Sequence, residues 1–146
     1  MDWQRDGLTI STDPARIDRA AVHAFLSGSY WAAGIPREIV DRSIENALCF
    51  GLYEEKRQVG FARVITDFAT FAYLADVFIL PSHRGRGLAK WMMEAILAHP
   101  RLQDLRRWML VTRDAHGLYR QAGFTELAHP ERMMEMVDSE IYRKLR

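Results

Sequence analysis

An eleven-residue segment, Pro81–Trp91, constrains the fold of this chain more than any other part of its sequence. It reads Pro-Ser-His-Arg-Gly-Arg-Gly-Leu-Ala-Lys-Trp, and Arg84, Gly87 and Ala89 fit the pattern Arg/Gln-x-x-Gly-x-Gly/Ala. A run of β-branched and aromatic residues ends at Leu80, and an apolar pattern of helical spacing follows the glycines. This order predicts a strand, a tight glycine turn and the N-terminus of a helix.

The predicted turn has the features of an anion site. Gly85 and Gly87 let the backbone approach an anion without a Cβ in the way. The N–H groups at the start of the helix add the positive end of its dipole, and Arg84 and Arg86 add formal charge. A P-loop would need a lysine and a Ser/Thr that are missing here, and a dinucleotide fold would need an early βαβ unit. We therefore expect the ligand to carry a pyrophosphate but to be neither a magnesium-bound nucleotide nor a dinucleotide.

A second motif, Gly-Leu-Tyr-Arg-Gln-Ala-Gly-Phe at 117–124, follows about 30 residues after the first. In this order and spacing, the two motifs closely resemble the GNAT superfamily of acyl-CoA-dependent N-acyltransferases. The resemblance covers roughly residues 50–127 well and the N-terminal third only in layout. It implies a GNAT-like fold and acetyl-CoA as the acyl donor, with no metal.

The composition indicates one compact domain over residues 1–146. Hydrophobic residues make up 49%, which argues against disorder. The net charge is +1 and no long basic run occurs, so neither nucleic acid nor a membrane surface is an expected partner. The single cysteine, Cys49, excludes an internal disulfide and a multi-cysteine metal site, and its apolar surroundings predict a buried thiol. Without a signal peptide or a long apolar run, we expect a cytoplasmic protein.

Hydrophobic periodicity predicts an α/β fold with a single mixed sheet and helices on both faces. The resemblance implies that this sheet splays between its fourth and fifth strands. The segment 129–146 has no clear assignment. The predicted strands are 8–11, 48–53, 59–66, 71–80, 108–112 and 124–128. The first predicted helix is capped by Thr12 or Asp13 and reaches Phe25. The others are 37–47, 87–98 and a short helix that is capped by Asp114 and ends at Gly123.

The resemblance also implies how acetyl-CoA would bind. The loop after the fourth strand would hold the pyrophosphate through backbone amides, and the end of that strand would pair with the pantetheine arm like an added strand. A backbone N–H near Phe78 or Ile79 would stabilise the oxyanion. The residues assigned to the acyl donor are Val77, Phe78, Ile79, Arg84, Gly85, Arg86, Gly87, Leu88, Ala89 and Lys90.

Three side chains are candidates for proton transfer. Tyr119 matches the family tyrosine that acts as general acid near the CoA sulfur, and the alternative is a packed aromatic beside Phe124. Asp76 lies among apolar residues, where a carboxylate holds a proton more tightly and can act as a base; it could equally be a structural group. His116 is a second candidate base because histidine titrates near neutral pH, unless it is only a neighbour of the helix cap. Water is a further candidate that the family permits.

On the acceptor side, the resemblance implies entry opposite the CoA, between the first two helices and the later strands. The wall there would include Tyr30, Trp31, Arg63, Asp67 and Tyr73. Trp31 could stack on an aromatic acceptor or attract a cation, or it could anchor its loop to the core. Arg63 interrupts an apolar strand, so it needs Asp67 or Asp76 as a partner or could bind a carboxylate of the acceptor.

The leading prediction is an N-acetyltransferase that transfers an acetyl group from acetyl-CoA to a small-molecule or peptide amine. The amine would attack directly in a ternary complex, with Tyr119 as general acid. The alternative is a non-catalytic CoA-binding sensor or interaction module, and Tyr119 in its full motif favours the enzyme. Met133, Met134 and Met136 near the C-terminus could cover a partner in a homodimer.

Overall fold

The computed structural model describes residues 1–145 and contains one six-stranded sheet whose strands lie side by side in chain order. All neighbouring strands are antiparallel except the last pair, which is parallel. The predicted mixed α/β fold is therefore confirmed. The strands are β1 (Asp2–Arg5), β2 (Leu8–Ser11), β3 (Leu48–Glu54), β4 (Arg57–Thr66), β5 (Phe71–Ile79) and β6 (Arg107–Leu110), and the helices are α1 (Arg19–Ser27), α2 (Arg37–Glu45), α3 (Leu88–Ala98), α4 (His116–Gln121) and α5 (Ile141–Lys144).

Helices cover both faces of the sheet because successive strand residues point to opposite sides. On one face, Phe50 of β3 packs in a cluster with Trp91 and Met92 of α3. On the other face, α1 and α2 pack against a second cluster that contains Cys49 and Phe61. No helix among residues 1–145 has the length and apolar character needed to cross a membrane.

The sheet opens between β5 and β6. These strands pair only as far as Leu74 and Leu110, whereas β5 continues alone to Ile79 on that side. This opening is the predicted splay between the fourth and fifth strands, which become the fifth and sixth once β1 is counted. It leaves the backbone at the end of β5 without a neighbouring strand on that side.

A β-bulge lies in the same part of β5. Phe61 of β4 pairs with Phe78, but Arg63 pairs with Ala75, so β5 carries one more residue than β4 in this interval. Within the bulge, Asp76 has a φ of 56°, in the left-handed region that few residues other than glycine occupy. A bulge twists its strand and redirects its side chains, which sets the surroundings of Asp76 described below.

After β5, a turn of 3-10 helix at Pro81–His83 leads into the glycine loop. Gly85 and Gly87 have φ values of 78° and 72°, and α3 begins at Leu88 immediately afterwards. A Cβ at either glycine would meet no atom within 4 Å, so the loop surface is open. The predicted order of strand, glycine turn and helix is confirmed.

Near the N-terminus, one strand was not predicted and one predicted helix began at the wrong residue. Residues 2–5 form β1, which pairs with β2 through a turn at Asp6 and Gly7, both at positive φ. The Asp-Gly pair is a known hairpin signal that the sequence interpretation passed over. Asp13 caps only a short 3-10 turn, and the helix begins later, at Arg19, with Asp18 as its cap.

Two further predictions in the C-terminal part were wrong. Residues 124–128 form no strand, since no neighbouring strand supplies backbone partners there. Asp114 does not cap α4; instead, Thr112 Oγ1 accepts a hydrogen bond from the Ala115 N–H at 3.0 Å. Beyond α4, the described chain holds only a 3-10 turn at Pro130–Arg132 and the short α5.

Candidate active site

The glycine loop presents a row of backbone donors. Within the described residues, the N–H groups from 85 to 90 have no acceptor, and α3 lacks a side-chain cap. Unsatisfied N–H groups at a helix N-terminus attract anions. The side chains of Arg86 and Lys90 are exposed and extend the positive charge of this surface.

Two side chains fix this loop to the sheet. Arg84 Nε donates to the Ile79 carbonyl at 3.0 Å, so this arginine braces the loop against the end of β5. His83 is buried, with Nε2 3.2 Å from Glu54 Oε2 and Nδ1 2.7 Å from Ser82 Oγ. Sequence reasoning missed His83, although a histidine inside an anion-binding motif was a signal that could have drawn attention to it.

The end of β5 is held rigidly. The ring of Phe78 stacks on Phe25 of α1 at a centroid distance of 3.9 Å, and it also approaches Phe61. Phe78 and Ile79 are buried, while Val77 is half-buried. The backbone of this segment is thus fixed beside the splay, with its edge on the β6 side unpaired.

Tyr119 on α4 lines a cavity of about 430 Å³ beside β6. Its buried ring packs edge-on against Phe124, but its hydroxyl has no hydrogen-bond partner within the described chain. Burial raises the pKa of Tyr119 to about 12, and Tyr30 and Asp114 add to the effect. The phenol is therefore protonated at neutral pH and can donate.

His116, the first residue of α4, lines the same cavity and is exposed to solvent. It lies one turn before Tyr119, so the structure brings these two candidate groups together. Among residues 1–145, no group of three or more His, Cys, Asp or Glu side chains is placed to hold a metal ion.

Both carboxylate oxygens of Asp76 accept hydrogen bonds from other side chains. Oδ2 accepts from Arg63 Nε at 2.8 Å, and Oδ1 accepts from Trp31 Nε1 at 2.9 Å. The Asp76 and Arg63 side chains are only 10% and 17% exposed. Of the two partners considered for Arg63, the structure selects Asp76, so Arg63 is neutralised inside the protein. The fold therefore gives both residues a structural role, as the two partners of a buried ion pair.

The loop between α1 and α2 carries two exposed aromatic rings. Trp31 is 41% exposed and lies edge-on to Tyr30, with ring centroids 5.1 Å apart. Tyr30 accepts a hydrogen bond from the Arg113 N–H at 3.3 Å, and the Arg113 guanidinium lies 3.8 Å above its ring. The loop is therefore joined to β5 by the hydrogen bond from Trp31 to Asp76, and to the segment after β6 by the hydrogen bond from Arg113 to Tyr30.

Asp67 has a local role in the turn before β5. Its oxygens accept hydrogen bonds from the N–H groups of Ala69, Thr70 and Phe71 and from the Thr70 hydroxyl. These bonds, the Thr70 hydroxyl first, hold its pKa well below the usual range. Asp67 lies beyond the opposite end of β5 from the glycine loop, apart from Trp31 and Asp76. Tyr73, half-buried on β5, lies nearer to the bulge.

A comparison with known families matches residues 45–126 to the acetyltransferase (GNAT) domain. The match spans more than half of the chain and includes both motifs and the splay. This chain belongs to the GNAT family. The fold and the resemblance predicted from the sequence are both confirmed.

Individual relatives agree with this assignment. A protein of Gibberella zeae that is named as an acetyltransferase is 37% identical over an alignment of 143 positions, which covers 82% of this chain and 79% of the relative. The crystal structure of a protein assigned to the GNAT family from Xanthomonas campestris is 49% identical, with a TM-score of 0.92 over 95% of this chain and 99% of that one. A Clostridium acetobutylicum structure with acetyl-CoA is 14% identical, covers 89% of this chain and 96% of that one, and shares the fold at a TM-score of 0.66.

Proposed function

We propose that this GNAT protein is an acetyl-CoA-dependent N-acetyltransferase that acetylates a small-molecule or peptide amine by direct attack in a ternary complex. The protonated hydroxyl of Tyr119, which lines a cavity beside β6 and has no hydrogen-bond partner within the described chain, is the observation that supports this most. A CoA sensor would need the glycine loop and the open strand edge, but it would not need a buried proton donor.

The glycine loop fits the pyrophosphate of the donor. Its N–H groups from 85 to 90 lack protein acceptors within the described chain, and the space around Gly85 and Gly87 is open. The first-turn amides of Leu88, Ala89 and Lys90 belong to this set. In this proposal the free edge of Val77–Ile79 pairs with the pantetheine arm, which directs the thioester towards the bulge.

Acetyl-CoA, when bound, supplies an activated thioester carbonyl. The amine nitrogen forms the amide bond, and a backbone N–H near Phe78 or Ile79 stabilises the oxyanion, a contribution of about 3 kcal/mol. The C–S bond then breaks, and Tyr119 donates its proton to the departing sulfur. The proton lost by the amine passes to a base, and exchange with solvent restores the phenol of Tyr119.

For that base, the geometry supports His116 or water over Asp76. Both oxygens of Asp76 already accept hydrogen bonds, one of them from a guanidinium, so neither is free to take a proton from the amine. We assign Asp76 a positioning role, in which it holds Trp31 on the acceptor side. The exposed faces of Trp31 and Tyr30, with Tyr73 nearby, would contact the acceptor, because aromatic faces attract ammonium groups.

Calorimetric titration with acetyl-CoA tests donor binding, with ATP and NAD as controls. Loss of acetyl-CoA in the presence of a panel of aliphatic, aromatic and peptide amines, followed by chromatography, tests transfer. We expect selective binding of acetyl-CoA and consumption that depends on the amine.

Failure at either step has a distinct meaning. Absence of acetyl-CoA binding by the folded protein would overturn the donor assignment. Tight binding without consumption by any amine, unchanged in a Tyr119→Phe variant, would instead support the sensor function.

A further inference from the structure

The imidazole of His83 joins the start of the glycine loop to a distant hairpin of the sheet. His83 is 6% exposed and closes the 3-10 turn that follows β5. Its Nε2 atom lies 3.2 Å from Oε2 of Glu54, the last residue of β3, and its Nδ1 atom lies 2.7 Å from Ser82 Oγ. The reaction proposed above uses none of these three side chains, so their arrangement needs a separate explanation.

The chemistry of the two partners determines where the ring carries its hydrogen. An ionised carboxylate only accepts hydrogen bonds, so Nε2 of His83 donates to Glu54. In the neutral ring, Nδ1 then accepts from the Ser82 hydroxyl, and both ring nitrogens have a partner. A buried ring with two such partners is held in one orientation. His83 is therefore a fixed connection between the turn after β5 and the hairpin of β3 and β4.

The backbone is bonded up to His83 and unbonded after it. The Leu80 N–H donates to the Val59 carbonyl of β4 at 2.8 Å, and the His83 N–H donates to the Leu80 carbonyl at 2.9 Å. Within the described residues, the N–H groups from 85 to 90 have no acceptor. The next side chain that the core holds is Leu88, which is 6% exposed. His83 and Leu88 are thus the fixed points on either side of the glycines.

The interval between these fixed points is costly to order. Gly85 and Gly87 both have positive φ, and glycine loses more conformational freedom than other residues when its backbone is fixed. A ligand that needs the loop in one conformation binds more weakly if binding itself must order the loop. Contacts that already restrict the loop in the free protein reduce this cost and raise the affinity.

We propose that His83 is a positioning residue, which sets the affinity for the acyl donor by holding the glycine loop in its binding conformation through Glu54. This inference rests on the proposed role of the loop in binding acetyl-CoA. His83 acts through the backbone of 85–90, because its ring is buried and both of its nitrogens are engaged. The hairpin of β3 and β4, which carries none of the residues assigned to the donor, thereby contributes to donor binding.

Two amide variants separate the two nitrogens of the ring. In His83→Gln the amide nitrogen takes the place of Nε2 and still donates to Glu54, whereas in His83→Asn the shorter side chain reaches only the position of Nδ1. We expect the Kd of acetyl-CoA, measured by calorimetry, to rise about tenfold in the Asn variant and to change less than about twofold in the Gln variant. At saturating acetyl-CoA, kcat should stay the same in both, because neither change affects Tyr119.

Variants of Glu54 test the same hydrogen bond from its other side. Glu54→Ala should raise the Kd by the same factor as His83→Asn, and Glu54→Gln, which keeps an acceptor oxygen, should bind as the wild type does. Because a single bond is lost in each case, combining Glu54→Ala with His83→Asn should weaken binding no further. The matched control is Glu55→Ala, which removes an equally charged, exposed neighbour and should leave the Kd unchanged.

CoA without the acetyl group provides a second readout. The fold-change in Kd should be the same for CoA as for acetyl-CoA, because the loop would contact the pyrophosphate that both molecules carry. A larger loss for acetyl-CoA than for CoA would contradict the proposal, since it would place the effect at the thioester. Far-ultraviolet circular dichroism checks that each variant is folded. Glu54 is about half exposed, so Glu54→Ala provides the test if His83→Asn does not fold.

The wild type separates failure of this inference from failure of the proposed function. A folded wild type that does not bind acetyl-CoA would overturn the donor assignment and the role of His83 with it. Binding by the wild type, with the same Kd in Glu54→Ala, would overturn the role of His83 alone. Equal losses in His83→Gln and His83→Asn would also overturn it, because the packing of the ring and not its bond to Glu54 would then control affinity.

Discussion

Burial decides what the Tyr119 side chain can do. Its ring is enclosed by Phe124 and the wall of the 430 Å³ cavity beside β6, and this burial raises the pKa of Tyr119 to about 12. Packing and acidity are therefore linked in one residue: the contacts that fix the ring also keep the phenol protonated. The sequence offered packing and catalysis as alternatives for Tyr119, but the two are compatible.

Tyr119→Phe retains the ring and removes the proton. We expect kcat to fall about 100- to 10,000-fold, the usual contribution of a general acid, with little change in the Kd of acetyl-CoA. Steady-state kinetics and calorimetry measure the two quantities. Tyr53→Phe is a matched control, since Tyr53 is also buried with an unpartnered hydroxyl but belongs to β3. Equal turnover in both variants would remove Tyr119 from catalysis.

Substitutions of Asp76 separate a positioning role from a base. Asp76→Ala leaves the Arg63 guanidinium without its partner and should lower the free energy of unfolding by about 3–5 kcal/mol. Asp76→Asn should cost less, because asparagine accepts from Trp31 Nε1 and tolerates the positive φ. Urea unfolding measures stability, and kinetics of the Asn variant should show mainly a raised KM for the amine. A stable Asn variant without turnover would restore Asp76 as the base.

At the scale of elements, the strand, glycine loop and α3 form the unit that the sequence predicted best. Its signals are local: apolar residues for β5, two glycines for the turn and helical spacing for α3. The bulge at Asp76 was not predicted, because it arises from a shift in pairing with β4. The missing strand at 124–128 has the same origin, since a strand exists only where a neighbour pairs with it.

The same distinction between local sequence signals and pairing of distant segments applies to the candidate site. The loop residues could be predicted from the motif, and Tyr119 from the second motif. The ion pair between Arg63 and Asp76 could not be singled out, because Asp67 was an equally good partner in the sequence. Only the register of β4 and β5 brings Asp76 to Arg63, and the local hydrogen bonds of Asp67 exclude it.

Gly87→Val tests the loop. A Cβ would project into the open space that the proposed pyrophosphate occupies, so we expect the Kd of acetyl-CoA to rise by at least about tenfold. Gly7→Val is the matched control: Gly7 has a φ of 79°, similar open space and a place in the β1–β2 turn. Both variants carry comparable backbone strain, so only the first should lose binding in calorimetry. Equal binding by the two would contradict the loop assignment.

Three weakly acidic side chains, one thiol and two phenols, lie buried in the folded protein. Burial raises the pKa of Cys49, Tyr53 and Tyr119 to about 12 in each case. The folded state therefore holds these protons more tightly than the unfolded chain, whose groups titrate at ordinary values near 9 and 10. The associated stability is complete below pH 9 and is lost as the pH rises towards 12.

We therefore expect the free energy of unfolding to fall steeply between pH 9 and 12, by an amount on the order of 3 kcal/mol for each group. Urea unfolding at a series of pH values measures this slope. A variant that combines Cys49→Ala with Tyr53→Phe should show a shallower decline. An unchanged slope in that variant would show that other groups control alkaline unfolding.

Cys49 also makes the protein convenient to assay. It is the only cysteine of the chain, and the fold leaves it 5% exposed. A chromogenic thiol reagent should therefore find no reactive sulfur on the folded protein, so that colour in a reaction mixture would report free CoA directly. The same reagent, added to a denaturant series without substrate, would develop colour only as the core opens. One buried side chain thus provides both a low background for turnover and a built-in signal for unfolding.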